Sequence, residues 1–142
     1  MEPITCHPYR RETQYYETDQ MGIIHHANYI RWMEEARMDY LRQLGINYRE
    51  MEEEGILCPI VNVKCEYRRP VRFGDAVLIS VQIKKYNGVK LVLSYRITCE
   101  ADGEIHAAGE TTLGFLNREG KILLLHKAAP AWHARLASQL PE

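Results

Sequence analysis

The stretch Tyr16-Glu17-Thr18-Asp19-Gln20-Met21-Gly22-Ile23-Ile24-His25-His26-Ala27-Asn28-Tyr29-Ile30 decides how this chain is read. It leaves a polar strand, passes the Asp19 carboxylate and Gly22, and runs into a strongly amphipathic helix. From Asn28 to Leu44 the residues Tyr29, Met33, Ala36, Tyr40 and Leu44 recur at spacings of three and four, with Ile30 and Leu41 widening the stripe. Arg31, Glu35, Asp39 and Arg42 fall on the other face, with Arg31 and Glu35 set as an i,i+4 pair. Asn28 is the expected N-cap and Gly45 the expected stop. At about 1.5 Å per residue the helix spans roughly 25 Å, the depth of a small domain. A short acidic helix, about Tyr48 to Glu54, follows before Gly55.

From Ile56 onward the period changes to two. Leu57, Val61, Val63, Cys65 and Tyr67 read as one strand, and Val77, Ile79, Val81 and Ile83 as the next. Asn87-Gly88 is a strong hairpin signal and leads into Leu91, Leu93, Tyr95, Ile97 and Cys99. Asp102-Gly103 turns the chain into Ile105, Ala107, Gly109, Thr111, Leu113 and Phe115. A further turn, Arg118-Glu119-Gly120, precedes the apolar run Ile122 to Leu125, and a strand around Tyr9 to Tyr16 completes the set. Ala129 to Leu140, with Pro130 near its start and Trp132, Leu136 and Leu140 spaced by four, reads as a short packing helix. One strand, a long helix and then a meander of antiparallel strands describe an α+β fold. Wrapping the sheet around the helix buries one face of each.

The chain has 142 residues, enough for one domain over 1–142 that buries most of its apolar surface without staples. A net charge of −1 provides no field for nucleic acid or an anionic membrane. No apolar run approaches the roughly 20 residues needed to span a bilayer, and Met1 to Arg11 lacks the apolar core of a secretory signal. Cys6, Cys58, Cys65 and Cys99 lie far apart with no CxxC pair, so neither a zinc site nor a disulfide framework is expected. These features point to the cytoplasm.

A carboxylate just ahead of a helix start stands beside backbone N–H groups that have no partner inside the helix and carry partial positive charge. Such donors stabilise a developing oxyanion, so the pairing suits hydrolysis of an acyl compound. Taken alone, Asp19 would as readily end a strand or brace a turn; the complete run favours chemistry. Only one of His25 and His26 can face a site as the chain turns helical, and the His26 backbone N–H is the stronger candidate than its ring. Tyr29 lies on the apolar stripe, where packing competes with substrate contact. Glu34 borders that stripe and is expected to pair with Arg37 or to be solvated.

The element order and the residues Tyr16, Thr18-Asp19, Gly22, Ile23-Ile24, His26 and Tyr29 resemble hotdog-fold acyl-CoA thioesterases of the 4-hydroxybenzoyl-CoA thioesterase branch. Tyr29 to Arg37 is similar to that family's helix, and Tyr67, Pro70, Gly74 and Asp75 to its strand–turn element. The resemblance implies a hotdog fold, with a long central helix wrapped by a curved antiparallel sheet of five to six strands. Two chains would join edge to edge, with dimers pairing further into tetramers and acyl-CoA seated between subunits. It also implies catalysis by Asp19, as nucleophile or general base, with the His26 N–H polarising the thioester carbonyl. Ile24, Tyr29, Pro59, Ile60 and Val61 would shape the acyl pocket, some of them from the partner chain. Arg68, Arg69, Lys90 and Arg118 are candidates for the CoA phosphates, and Arg72 clusters with the first two. No metal or other cofactor is implied.

Two other functions fit the same fold. Related hydratases carry a Gly-Asp-x-Asn-Pro-(aliphatic)-His motif; here Gly74-Asp75 continues as Ala76-Val77, which disfavours that chemistry. A non-catalytic protein that holds acyl-CoA or acyl carrier protein would not need a carboxylate beside the thioester.

Overall fold

The computed structural model describes residues 1–141. In chain order the elements are β1 (Tyr9–Glu12), a single 3-10 turn (Tyr15–Glu17), α1 (Ala27–Gln43), α2 (Tyr48–Glu53), β2 (Ile60–Tyr67), β3 (Ala76–Tyr86), β4 (Lys90–Cys99), β5 (Ile105–Gly114), α3 (Leu125–Ala128) and α4 (Pro130–Ser138). The five strands form one curved antiparallel sheet in the order β1-β3-β4-β5-β2, wrapped around α1. Among the described residues no helix is long and apolar enough to cross a membrane.

Alternation makes the sheet one-sided. Val77 and Ile79 of β3, Leu91, Leu93, Tyr95 and Ile97 of β4, and Ala107 and Leu113 of β5 are buried in one core with Tyr29, Trp32, Met33, Ala36, Tyr40 and Leu41 of α1. Gly109 of β5 lets the helix settle close to the sheet. A Cβ there would stand 2.7 Å from both Met33 Sδ and the Lys64 carbonyl oxygen. The helix ends at Gly45, with φ +77°. The Gly45 N–H donates to Arg42 O and the Ile46 N–H to Leu41 O, closing the last turn with left-handed backbone that glycine adopts freely.

Three local expectations need correction. The N-cap is His26, not Asn28. Asn28 lies inside the helix, buried, where its amide donates to the Glu17 carbonyl at 2.9 Å. Glu35 turns away from Arg31 to accept from Tyr9 Oη and Arg11 Nε, which outcompetes an exposed i,i+4 pair. The first strand ends at Glu12, because the chain tightens into the 3-10 turn before Asp19.

β2 departs furthest from its pattern. Its regular part begins at Ile60, with a register shift before Asn62, while Leu57 makes only an isolated bridge to Leu116. Val61, Val63 and Tyr67 alternate as expected but are exposed, at 59%, 39% and 44%, on a strand that forms one edge of the sheet.

Candidate active site

The chain between the 3-10 turn and α1 is a tight loop. The Asp19 N–H donates to Ile23 O, the Gly22 N–H to Asp19 O, and the Met21 N–H to Asp19 Oδ1 at 2.8 Å. Gly22 adopts φ +76°, the left-handed conformation that makes so short a reversal cheap. The return limb is pinned to the sheet, since Ile24 N–H donates to Val71 O and Ile23 bridges Arg72.

Glu17 holds this loop from below. Its carboxylate is 3% exposed and accepts two hydrogen bonds from Arg11, at 3.0 and 3.1 Å, one from Trp32 Nε1 at 2.8 Å, and one from the Gln14 N–H at 2.7 Å. Its carbonyl accepts from the His25 N–H and the Asn28 amide. One residue thus ties β1, the 3-10 turn and the first two turns of α1 together, two positions before Asp19. Sequence analysis assigned it no role, and nothing in the local pattern marks it.

At the helix start, His25 Nδ1 accepts the Ala27 N–H at 3.1 Å, leaving the His25 ring as a side-chain cap. The His26 ring stacks on it, with centroids 4.3 Å apart. The His26 N–H makes no hydrogen bond among the described residues, and the His26 carbonyl accepts the Tyr67 hydroxyl at 2.9 Å. Tyr67 also meets the Tyr29 ring edge-on at 5.0 Å. Burial raises the pKa of the Tyr29 phenol, which accepts the Val71 N–H.

These elements enclose an open pocket of about 360 Å³ lined by Asp19, Met21, Ile23, Ile24, His26, Tyr29, Tyr67, Arg68, Arg69 and Pro70. Six residues singled out from the sequence therefore meet in one place: Asp19, Ile24, His26, Tyr29, Arg68 and Arg69. Met21, Ile23, Tyr67 and Pro70 also line it and were not named as site residues, although Ile23, Tyr67 and Pro70 are among the residues quoted for the resemblance.

The other five candidates lie at the opposite end of the sheet. Tyr67, at the pocket, pairs with Ala107, whereas Ile60 pairs with Leu113, about 23 Å away along β2 at about 3.3 Å per residue. Pro59 and Val61 flank Ile60, and Lys90 stands opposite Gly114 at the same end. Arg118 lies beyond β5, donating to the Glu52 and Glu53 carbonyls at the end of α2. Glu34 pairs with the buried Arg37 at 2.7 Å, as expected, rather than with anything in the pocket.

Ionised Asp19 accepts a proton or attacks an electrophilic carbon. An unpaired backbone N–H near such a carboxylate is the kind of donor that can stabilise charge on a carbonyl oxygen under attack. Cys99, Asp102 and His106 are the sole cluster with metal-ligand spacing among the described residues, and none of them lines this pocket.

Comparison with known proteins agrees with this fold. The thioesterase-like superfamily matches residues 13–140. YneP of Bacillus subtilis is 38% identical over 123 residues, covering 86% of this chain and 88% of YneP. The acyl-CoA thioesterase YbgC of Helicobacter pylori is 30% identical, covering 77% of this chain and 85% of its own. The crystal structure of a DHNA-CoA thioesterase from Staphylococcus aureus superposes with a TM-score of 0.88 at 32% identity, over 92% of this chain and 88% of the other.

Proposed function

The chain belongs to the thioesterase-like superfamily and is a thioesterase, and from that premise we propose that it hydrolyses acyl-CoA through Asp19 and the backbone N–H of His26. One observation carries the proposal: Asp19 and His26, whose N–H has no partner among the described residues, line the same pocket. Water and the thioester give a free acid and the CoA thiol. Asp19 either attacks the carbonyl carbon, forming an anhydride that water opens, or takes the proton from an attacking water. The His26 N–H holds the negative charge on the carbonyl oxygen in both routes. Ile24 and Tyr29 contact the acyl group, and Arg68 and Arg69, exposed at the mouth, meet the CoA phosphates.

The working unit is a homodimer joined through β2, able to pair again into a tetramer. β2 is an open edge with Val61 and Val63 exposed on it, the kind of edge that pairs with another strand. A two-fold antiparallel pairing centred near Val63 and Lys64 sets one copy's Ile60 opposite the other's Tyr67. Pro59, Ile60 and Val61 thereby reach the partner's pocket, and Lys90 and Arg118 approach from the same end. All four cysteines are unpaired, which suits the reducing cytoplasm. The whole chain acts as one domain.

The test is thiol release over acetyl-, hexanoyl-, palmitoyl- and benzoyl-CoA, with the parent and Asp19→Asn measured side by side. The parent turns over at least one ester, and the variant loses about 10²-fold or more in kcat, the low end for removing a general acid–base group. Undiminished turnover in the variant removes Asp19 from the mechanism. An inactive parent that still binds CoA esters makes the protein a carrier rather than a hydrolase.

A further inference from the structure

The β4–β5 turn brings Asp102 beneath His106, whose imidazole is buried. His106 Nε2 lies 2.8 Å from Asp102 Oδ2, and Nδ1 lies 3.1 Å from the Pro70 carbonyl oxygen. A carboxylate and a carbonyl both accept and neither donates. A neutral imidazole has a single N–H, so one of these two contacts would set lone pair against lone pair. Both are satisfied together only by the imidazolium, which donates from each nitrogen.

The main chain of the same residue grips the neighbouring segment. The His106 carbonyl accepts the N–H of Arg68 at 2.9 Å and of Arg69 at 3.1 Å. The backbone of residues 68 to 70 therefore meets His106 at each position, two through its carbonyl and the third through its ring, and all three residues line the candidate active site.

We propose that the His106–Asp102 pair is a positioning device for the Arg68-Arg69-Pro70 arm, fixing the two arginines where the CoA phosphates bind. The inference rests on the proposed function. The pair acts through the arm and leaves the reacting carbonyl to Asp19. Other ionisable groups around it are Cys99 on β4, Asp75 at the β2–β3 turn, and Arg69, which faces Asp102. Burial, reinforced by Asp75 and Asp102, pushes the Cys99 thiol up to about 11.

The arm touches the nucleotide end of CoA, so its effect belongs in KM for CoA esters and is absent for esters that lack the nucleotide. The panel's best acyl group is assayed as its CoA ester and as its pantetheine ester, with parent, His106→Leu and Asp102→Asn. His106→Leu raises KM for the CoA ester by about tenfold, the scale of one charge-assisted hydrogen bond, with kcat within about twofold. Asp102→Asn keeps a low KM, because the Asn amide donates to Nε2 while Nδ1–H still meets the Pro70 carbonyl. The pantetheine ester is indifferent to both changes.

A CoA-ester KM unchanged in His106→Leu overturns the proposal, and so does an equal rise for both esters. Equal KM values for the two esters in the parent overturn it together with the phosphate role of the arginines. Hydrolysis through Asp19 would stand in every one of those cases, since only Asp19→Asn probes it.

Discussion

Glu17 shows at the residue scale what one buried carboxylate does when every lone pair is used. Its four accepted bonds join β1, the turn and α1 immediately before the Asp19 loop. Glu17→Gln removes the charge that Arg11 and the indole N–H bind, and Arg11 keeps only Glu35. The expected cost is about 2–4 kcal/mol in urea unfolding, the range between losing a charge-assisted bond and breaking a buried pair. A larger fractional loss of kcat than in a surface control variant is expected as the Asp19 loop shifts. The placement of Asp19, Gly22 and His26 was legible because it is local: a carboxylate, a left-handed turn and a helix start within eight positions. Glu17 was not, because its partners Arg11 and Trp32 are brought to it only by the folded sheet and helix. Asn28 misled for the same reason: a side chain suited to capping was taken inward by the Glu17 carbonyl.

At the element scale the contact of α1 with β5 is set by the missing side chain of Gly109. Gly109→Ala should destabilise the protein by about 1–3 kcal/mol, the usual cost of overpacking a filled interior, read as a lower thermal midpoint. Trimming the helix with Met33→Ala should not rescue it, because the Lys64 carbonyl stands equally close and is backbone. The strands themselves were plain in the sequence wherever both neighbours are strands of this chain, as in β3 and β4, where alternation and burial coincide. On β2 alternation gave the strand but not the destination of its apolar face. Period-two patterning records that a face avoids water; it carries no mark of whether the cover is this chain's helix or another copy.

Over the whole molecule, burial dominates the thiols. The Cys58 thiol is pushed up to about 12 and that of Cys99 to about 11, above the ordinary 9.0. The folded chain therefore holds these protons more tightly than the unfolded one. That contribution to stability is complete below about pH 9 and is lost as pH climbs toward 11 and 12. The urea midpoint should fall across that window, and iodoacetamide at pH 8 should modify Cys58 and Cys99 only after unfolding. The open edge of β2 has a consequence of another kind. In the proposed dimer each pocket is finished by a second identical molecule, so the output of each molecule depends on how many others are present. Activity should drop on dilution through the dissociation range more steeply than in proportion to enzyme. Excess Asp19→Asn protein, inert by itself, should restore it by lending its Ile60 end to the intact pocket. A cell holding few copies would then have less than a proportional share of activity, and doubling the copies would more than double it.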